Sequence, residues 1–190
     1  SSDRLARLLT DLLDISKIEA GKLDVVEENF SPRELCDSVT ELFAVNAVEK
    51  SVSFEYVIDP ALPLVLVGGI ARLRQILFNL VGNSLKFTDQ GKVRLEMIPI
   101  SPVRDDELRI LFSVYDTGIG IPEDRIPEIF VPFHQLDGSS TRKYGGTGLG
   151  LNLVQKIITI HGADLKVASQ PGKGTRMYFY LKSAQPPIDT

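Results

Sequence analysis

Tryptophan is absent from the sequence, cysteine occurs once and histidine twice. The single thiol, Cys36, cannot close an internal disulfide, which excludes a disulfide-stapled scaffold and fits a reducing compartment. It falls among the apolar positions of a helical pattern, where it reads as a small buried hydrophobe rather than a reactive group. Neither His134 nor His161 has a Cys or His at ligand spacing, so neither points to zinc; His161, before Gly162, suits a helix C-terminus. No apolar run is long enough to span a bilayer and no signal peptide opens the chain. A basic excess is also missing: 21 Lys and Arg against 25 Asp and Glu give a net charge of −4, too little positive field to hold nucleic acid or an anionic membrane. The expectation is a soluble cytoplasmic segment that makes no membrane contact itself, whatever a larger parent does.

What is present suffices for one ordinary domain with an added element: 190 residues, 43% of them hydrophobic. The opening SSDRLARLLTDLLDISKIEAG predicts a helix. Leu5, Leu8, Leu12 and Ile15 recur at spacings of three and four, Leu9 and Leu13 widen the stripe, and Gly21 closes it. Such a seam needs partner helices. In FSPREL, Ser31 can cap a second helix, Pro32 suits its first position, Glu34 completes a capping box, and Phe30 and Leu35 can staple it. Alternation predicts a strand over 52–58, and LVLV a short one. Helical spacing returns over 70–87, followed by strands over 93–97 and 108–114 joined by a polar turn, SPVRDDE. Residues 116–147 are rich in Gly, Pro and Ser and lack periodicity, predicting a long irregular and functional stretch. A helix over 149–161 and two strands over 165–168 and 175–181 complete an α/β, two-layer sandwich: a mixed, mostly antiparallel sheet packed on helices.

Three stretches carry candidate chemistry. In NLVGNSLK, Asn79, Asn83 and Lys86 share one helix face, where amide oxygens suit Mg²⁺ and an ammonium suits phosphate; a merely solvated face is the bland alternative. In VYDTGIGI, Asp116 ends a strand beside Gly118 and Gly120, positioned to accept a hydrogen bond from a ligand or, equally, to shape a turn. In YGGTGLGLNLVQKI, Gly145, Gly146, Gly148 and Gly150 run into a helix N-terminus, where free N–H groups favour an anion. Arg142 and Lys143 add positive charge just upstream. Neither the Walker lysine nor the GxGxxG spacing is present.

Taken in order, the motifs resemble the catalytic ATP-binding domain of sensor histidine kinases, within the gyrase, chaperone, histidine kinase and mismatch-repair ATPase superfamily. NLVGNSLKFT resembles its asparagine box, DTGIGI its first glycine box, EIFVPF its phenylalanine box, and GGTGLGL and PGKGT the later glycine boxes. RLLTDLLDISKIEAGK is similar to the second helix of the dimerisation and phosphotransfer hairpin. The resemblance implies that residues 1–22 are hairpin, 23–184 the ATP-binding domain and 185–190 a tail or linker. It implies ATP and Mg²⁺ as cofactors, with Asn83 ligating Mg²⁺ and Asn79 and Lys86 acting at the phosphates. It implies that Asp116 holds the adenine amino group, with Gly118, Gly120, Ile121, Phe130 and Thr175 around the nucleotide. Arg142, Gly146, Thr147, Gly148, Leu149 and Gly150 would belong to a mobile lid over roughly 134–147 and its hinge. The implied partners are a phosphoacceptor helix of the same or a sister chain, a response-regulator receiver domain, and a second copy in the full-length protein. Asn79 stands where superfamily hydrolases carry a glutamate base, and an amide cannot take a proton at neutral pH; transfer to another acceptor is therefore expected over ATP hydrolysis, and the intact boxes argue against purely non-catalytic nucleotide or partner binding. Gly69 stands where the family usually has Asp, and neither histidine matches the phosphoacceptor motif.

Overall fold

The computed structural model describes residues 2–104, 107–136 and 146–184. Helix α1 (Ser2–Glu19) comes first and ends at Ala20 and Gly21, the glycine at φ +68° as a C-terminal cap requires. Strand β1 (Glu28–Phe30) leads into α2 (Pro32–Glu49), where the Ser31 hydroxyl accepts from the Glu34 N–H at 3.3 Å. Then come β2 (Val52–Ile58), β3 (Leu66–Gly68) and α3 (Ile70–Lys86). Strands β4 (Gly91–Arg104) and β5 (Glu107–Asp116) follow, then a 3₁₀ stretch (Glu123–Phe130). The chain finishes with α4 (Gly150–Ile160), β6 (Lys166–Gln170) and β7 (Gly174–Ala184).

The strands form one sheet in the order β1-β3-β7-β5-β4-β2, with β6 also paired to β7. Only the β2–β4 pairing is parallel among the described strands; the others are antiparallel. Helix α3 lies against β4 and β5, α2 packs on β2 and α3, and α4 packs on α3 and α1. Leu77 and Leu80 of α3, Leu95 and Met97 of β4, Phe112 of β5, Phe179 of β7 and Ile157 of α4 meet in a single buried core. The Phe112 and Phe179 rings stack at 5.1 Å across the β5–β7 ladder. This is the expected two-layer α/β sandwich.

The structure departs from the sequence reading in four places. Strand β1 carries only one buried side chain, Phe30, too little to declare a strand. LVLV is shifted: Leu64 and Val65 are exposed and the strand begins at Leu66. Strand β4 continues through Ser101 to Arg104, so the polar turn there is shorter than composition suggests, because cross-strand pairing overrides it. The supposedly irregular stretch contains the 3₁₀ turns, which bury no residue fully. Gly69 leaves the N-terminus of α3 without a side-chain cap, and a Cβ there would lie 2.7 Å from Val25 Cγ1. His161 caps α4 as expected, its Nδ1 lying 2.8 Å from the Ile157 carbonyl oxygen. No helix among the described residues is long and apolar enough to cross a membrane.

Candidate nucleotide site

Strand alternation positions the first group. Leu108, Ile110, Phe112 and Val114 of β5 point into the core, and Asp116, two residues on, faces the same way at the strand's end. The register sets it opposite Thr175 of β7. Asp116 is only 5% exposed. Burial pushes its carboxyl above the usual range, while hydrogen bonds from the Gly118 N–H (2.9 Å), the Ser84 hydroxyl and the Thr175 N–H pull it back. Beside it the Thr88 hydroxyl is fully buried and lacks any partner among the described groups. A buried carboxylate on the cavity wall is a docking point for a polar ring edge.

Helix α3 supplies the next wall. Asn79, Asn83 and Lys86 all line the cavity, as their three- and four-residue spacing predicts. The Asn79 amide nitrogen donates to the Gln75 carbonyl at 3.0 Å, and the amide oxygen faces Gly150, whose Cβ, were there one, would sit 2.7 Å away. The Asn83 amide makes no hydrogen bond with another described residue. Lys86 is half-buried, with its ammonium 5.0 Å from the Phe87 ring centre. Burial first, and then the Arg4 charge, lower its pKa.

The glycine-rich loop closes the opposite side. Gly146, Thr147, Gly148 and Gly150 line the cavity; Leu149 is buried behind them, its N–H donating to the Thr147 hydroxyl at 3.4 Å. The Gly148 carbonyl accepts from the Phe133 N–H at 3.0 Å, and Gly148 sits at φ +72° against the Phe133 backbone. No side chain caps α4, which leaves the N–H groups of its first turn beside the loop. Gly120, Ile121 and Thr175 complete the lining. Gly118 and Phe130 stand behind it: a Cβ at Gly118 would come within 2.4 Å of the Phe87 carbonyl oxygen, and the Phe130 carbonyl accepts from Asn152 at 3.0 Å. Arg142 and most of the expected lid lie outside the described residues.

The cavity encloses about 760 Å³, the size of a drug-like or nucleotide ligand. Sequence reasoning missed several of its residues. Ser84 lies inside the asparagine-rich motif, and only the fold brings its hydroxyl to Asp116. Phe43, Phe78 and Met177 add apolar wall, with Phe43 and Phe78 edge to face at 6.3 Å. Gln135 donates to the Gly146 carbonyl at 2.8 Å, and His134 lies 3.1 Å from Glu128. Least expected, Asp3, Arg4, Arg7 and Asp11 of α1 also line it.

A helix-covered, mostly antiparallel sheet with a carboxylate at one end of a cavity and amides, an ammonium and a glycine loop at the other defines an ATP-binding α/β domain. The family model described as histidine kinase-, DNA gyrase B- and HSP90-like ATPase matches residues 68–185. The hybrid signal transduction protein dokA of Dictyostelium discoideum is 41% identical over 187 residues, covering 96% of this chain and 11% of that protein. The signal transduction histidine-protein kinase BarA of Escherichia coli strain K12 is 36% identical over 181 residues, covering 95% of this chain and 20% of that one. The full-length ShkA crystal structure in complex with AMPPNP superposes with a TM-score of 0.83 at 31% identity, over 98% of this chain and 37% of that one. The chain belongs to this histidine kinase-, DNA gyrase B- and HSP90-like ATPase family. It spans only a small part of the curated relatives' length.

Proposed function

We propose that this domain binds Mg·ATP and transfers the γ-phosphoryl group to a histidine on another helix. The observation that carries the reading is the convergence in one cavity of Asp116, a base-binding carboxylate, with the Asn79, Asn83 and Lys86 face of α3. Asp116 accepts from the adenine amino group, which guanine lacks at that position. Ile121 and Thr175 flank the base, with Gly118, Gly120 and Phe130 shaping the walls behind. Lys86 faces the phosphates, and Gly146, Thr147, Gly148, Leu149 and Gly150 carry backbone N–H groups to them. Arg142 adds a lid cation. The donor set fits Mg²⁺: the Asn83 amide oxygen is uncommitted on the cavity, and Mg²⁺ takes one or two protein ligands plus phosphate oxygens. When bound, the ion neutralises developing phosphate charge.

Transfer needs only alignment and charge stabilisation from the protein. The unprotonated ring nitrogen of the acceptor histidine attacks the γ-phosphorus, the bond to the β,γ-bridging oxygen breaks, and ADP leaves with that electron pair. Asn79 orients without accepting a proton, which disfavours water as the nucleophile. Residues 1–22 are read as the C-terminal part of the dimerisation hairpin, residues 23–184 as the ATP-binding domain and 185–190 as a tail or the start of a linker. The full-length protein is read as a cytoplasmic-facing homodimer that serves a receiver domain.

The test mixes this chain with a second chain carrying the acceptor helix and γ-labelled ATP. Label should appear on the acceptor, acid-labile as a phosphohistidine is, and disappear with Asn83→Ala. Tight Mg·ATP binding with no transfer would refute the kinase reading, and rapid acceptor-free phosphate release would replace it with a hydrolase.

A further inference from the structure

The cavity has a wall that the ATP-binding fold does not itself provide. Helix α1 lies across its mouth, where the Arg4 guanidinium donates to the Gly146 carbonyl at 3.0 Å. Gly146 in turn abuts Lys86, since a Cβ on it would sit 2.6 Å from the ammonium. Arg4 and Lys86 therefore bracket one glycine of the cavity wall. Neither forms an ion pair with a described residue. Two cations converging on one pocket repel one another: burial lowers the Lys86 pKa first, and the Arg4 charge lowers it further. An anion in the cavity would relieve it. Only one of the five guanidinium donors is spent on the Gly146 carbonyl, and the planar fork suits phosphate oxygens.

We infer that Arg4, on α1, is a phosphate-binding residue of the nucleotide site, so that docking of α1 and binding of the triphosphate reinforce each other. The inference rests on the reading of the cavity as an ATP site. It gives α1 a role in ligand binding separate from its apolar outer stripe: a nucleotide with its terminal phosphates holds the helix down, and the docked helix holds the phosphates. By reciprocity, whatever pulls α1 away weakens ATP by the same factor.

The experiment displaces a fluorescent ATP analogue from the full 190-residue chain with Mg·ATP or with adenosine, for wild type, Arg4→Ala and Arg4→Lys. Loss of one charge-assisted phosphate contact predicts ATP affinity weakened about tenfold in Arg4→Ala. Adenosine affinity should not change, and Arg4→Lys should recover part of the loss. Hydrogen exchange supplies a second readout: ATP should slow exchange along α1 in wild type and not in Arg4→Ala. ATP affinity within about twofold of wild type, well below the loss expected of a charged contact, would overturn the inference. Equal weakening of ATP and adenosine would also overturn it, by making Arg4 merely structural. A wild-type chain that binds neither ligand would remove the ATP-site reading itself, and with it this inference.

Discussion

Gly120 and Gly174 lack side chains for the same reason. A Cβ at Gly120, at φ +70°, would fall 2.1 Å from the Gln170 carbonyl oxygen, and one at Gly174, at φ +118°, would fall 1.9 Å from that of Asp116. What these glycines admit is neighbouring backbone, which carries the Asp116 loop up against the β6–β7 turn. Gly120→Ala combines a left-handed φ with that collision and should cost about 1–3 kcal/mol, read as a lower denaturant midpoint with an unchanged slope. Asp116 makes the opposite trade. Because its folded pKa lies above the ordinary 3.8, its charge weighs against the empty fold, and stability from this group falls as pH rises from 3.8 through the raised value. ATP affinity runs the other way: the adenine amino group needs the carboxylate, so acidification through that same window should weaken binding. Asp116→Asn should leave the melting temperature of the empty protein equal or higher, yet reduce ATP affinity about tenfold, by loss of a hydrogen bond to a charged group.

At the scale of the element, α1 is the clearest case of one pattern serving two surfaces. Leu5, Leu9 and Leu13 stay 58%, 52% and 62% exposed, while Asp11 and Asp14, on the side toward the domain, are buried. Asp14 lies 3.6 Å from Arg72 and accepts from the Gln75 amide at 2.9 Å. Gln75 is the residue whose carbonyl holds Asn79, so α1 is clasped to the helix that bears the cavity-lining amides. Asp14→Ala leaves the partly buried Arg72 and Gln75 short of a partner and should cost about 1–3 kcal/mol. Faster hydrogen exchange along α1, with the sheet unaffected, is the expected signature. Helix α3 is simpler: its apolar stripe faces the sheet and its amides face the cavity, both fixed by the same 3.6-residue period.

Across the whole molecule, Leu5, Leu9 and Leu13 of α1 form an exposed apolar stripe. In a longer chain that includes the acceptor helix, Leu9→Lys should shift sedimentation from dimer toward monomer while ATP affinity stays unchanged. A dimer that survives Leu9→Lys would move the self-association surface elsewhere. The domain itself needs no second copy to complete its core, since the buried residues of α2, α3, α4 and the sheet already form one cluster.

Local pattern alone was enough for the helices, most strands, the α/β class and the motifs Asn79–Lys86 and Asp116–Gly120. Periodicity and punctuation act within one segment and survive without tertiary context. It also made Asn79 an amide rather than a base, which is a matter of side-chain chemistry and not of packing. Only the folded chain decided that Thr175 faces Asp116, because strand register is set by pairing between segments some 59 positions apart, the span from Asp116 to Thr175. It likewise decided that Gly118 and Gly120 make room for backbone, that α1 buries Asp11 and Asp14 while Leu5, Leu9 and Leu13 stay exposed, and that Arg4 reaches Gly146. A helix's hydrophobic period marks an apolar stripe; which neighbour lies against which face is fixed by contacts far away in sequence.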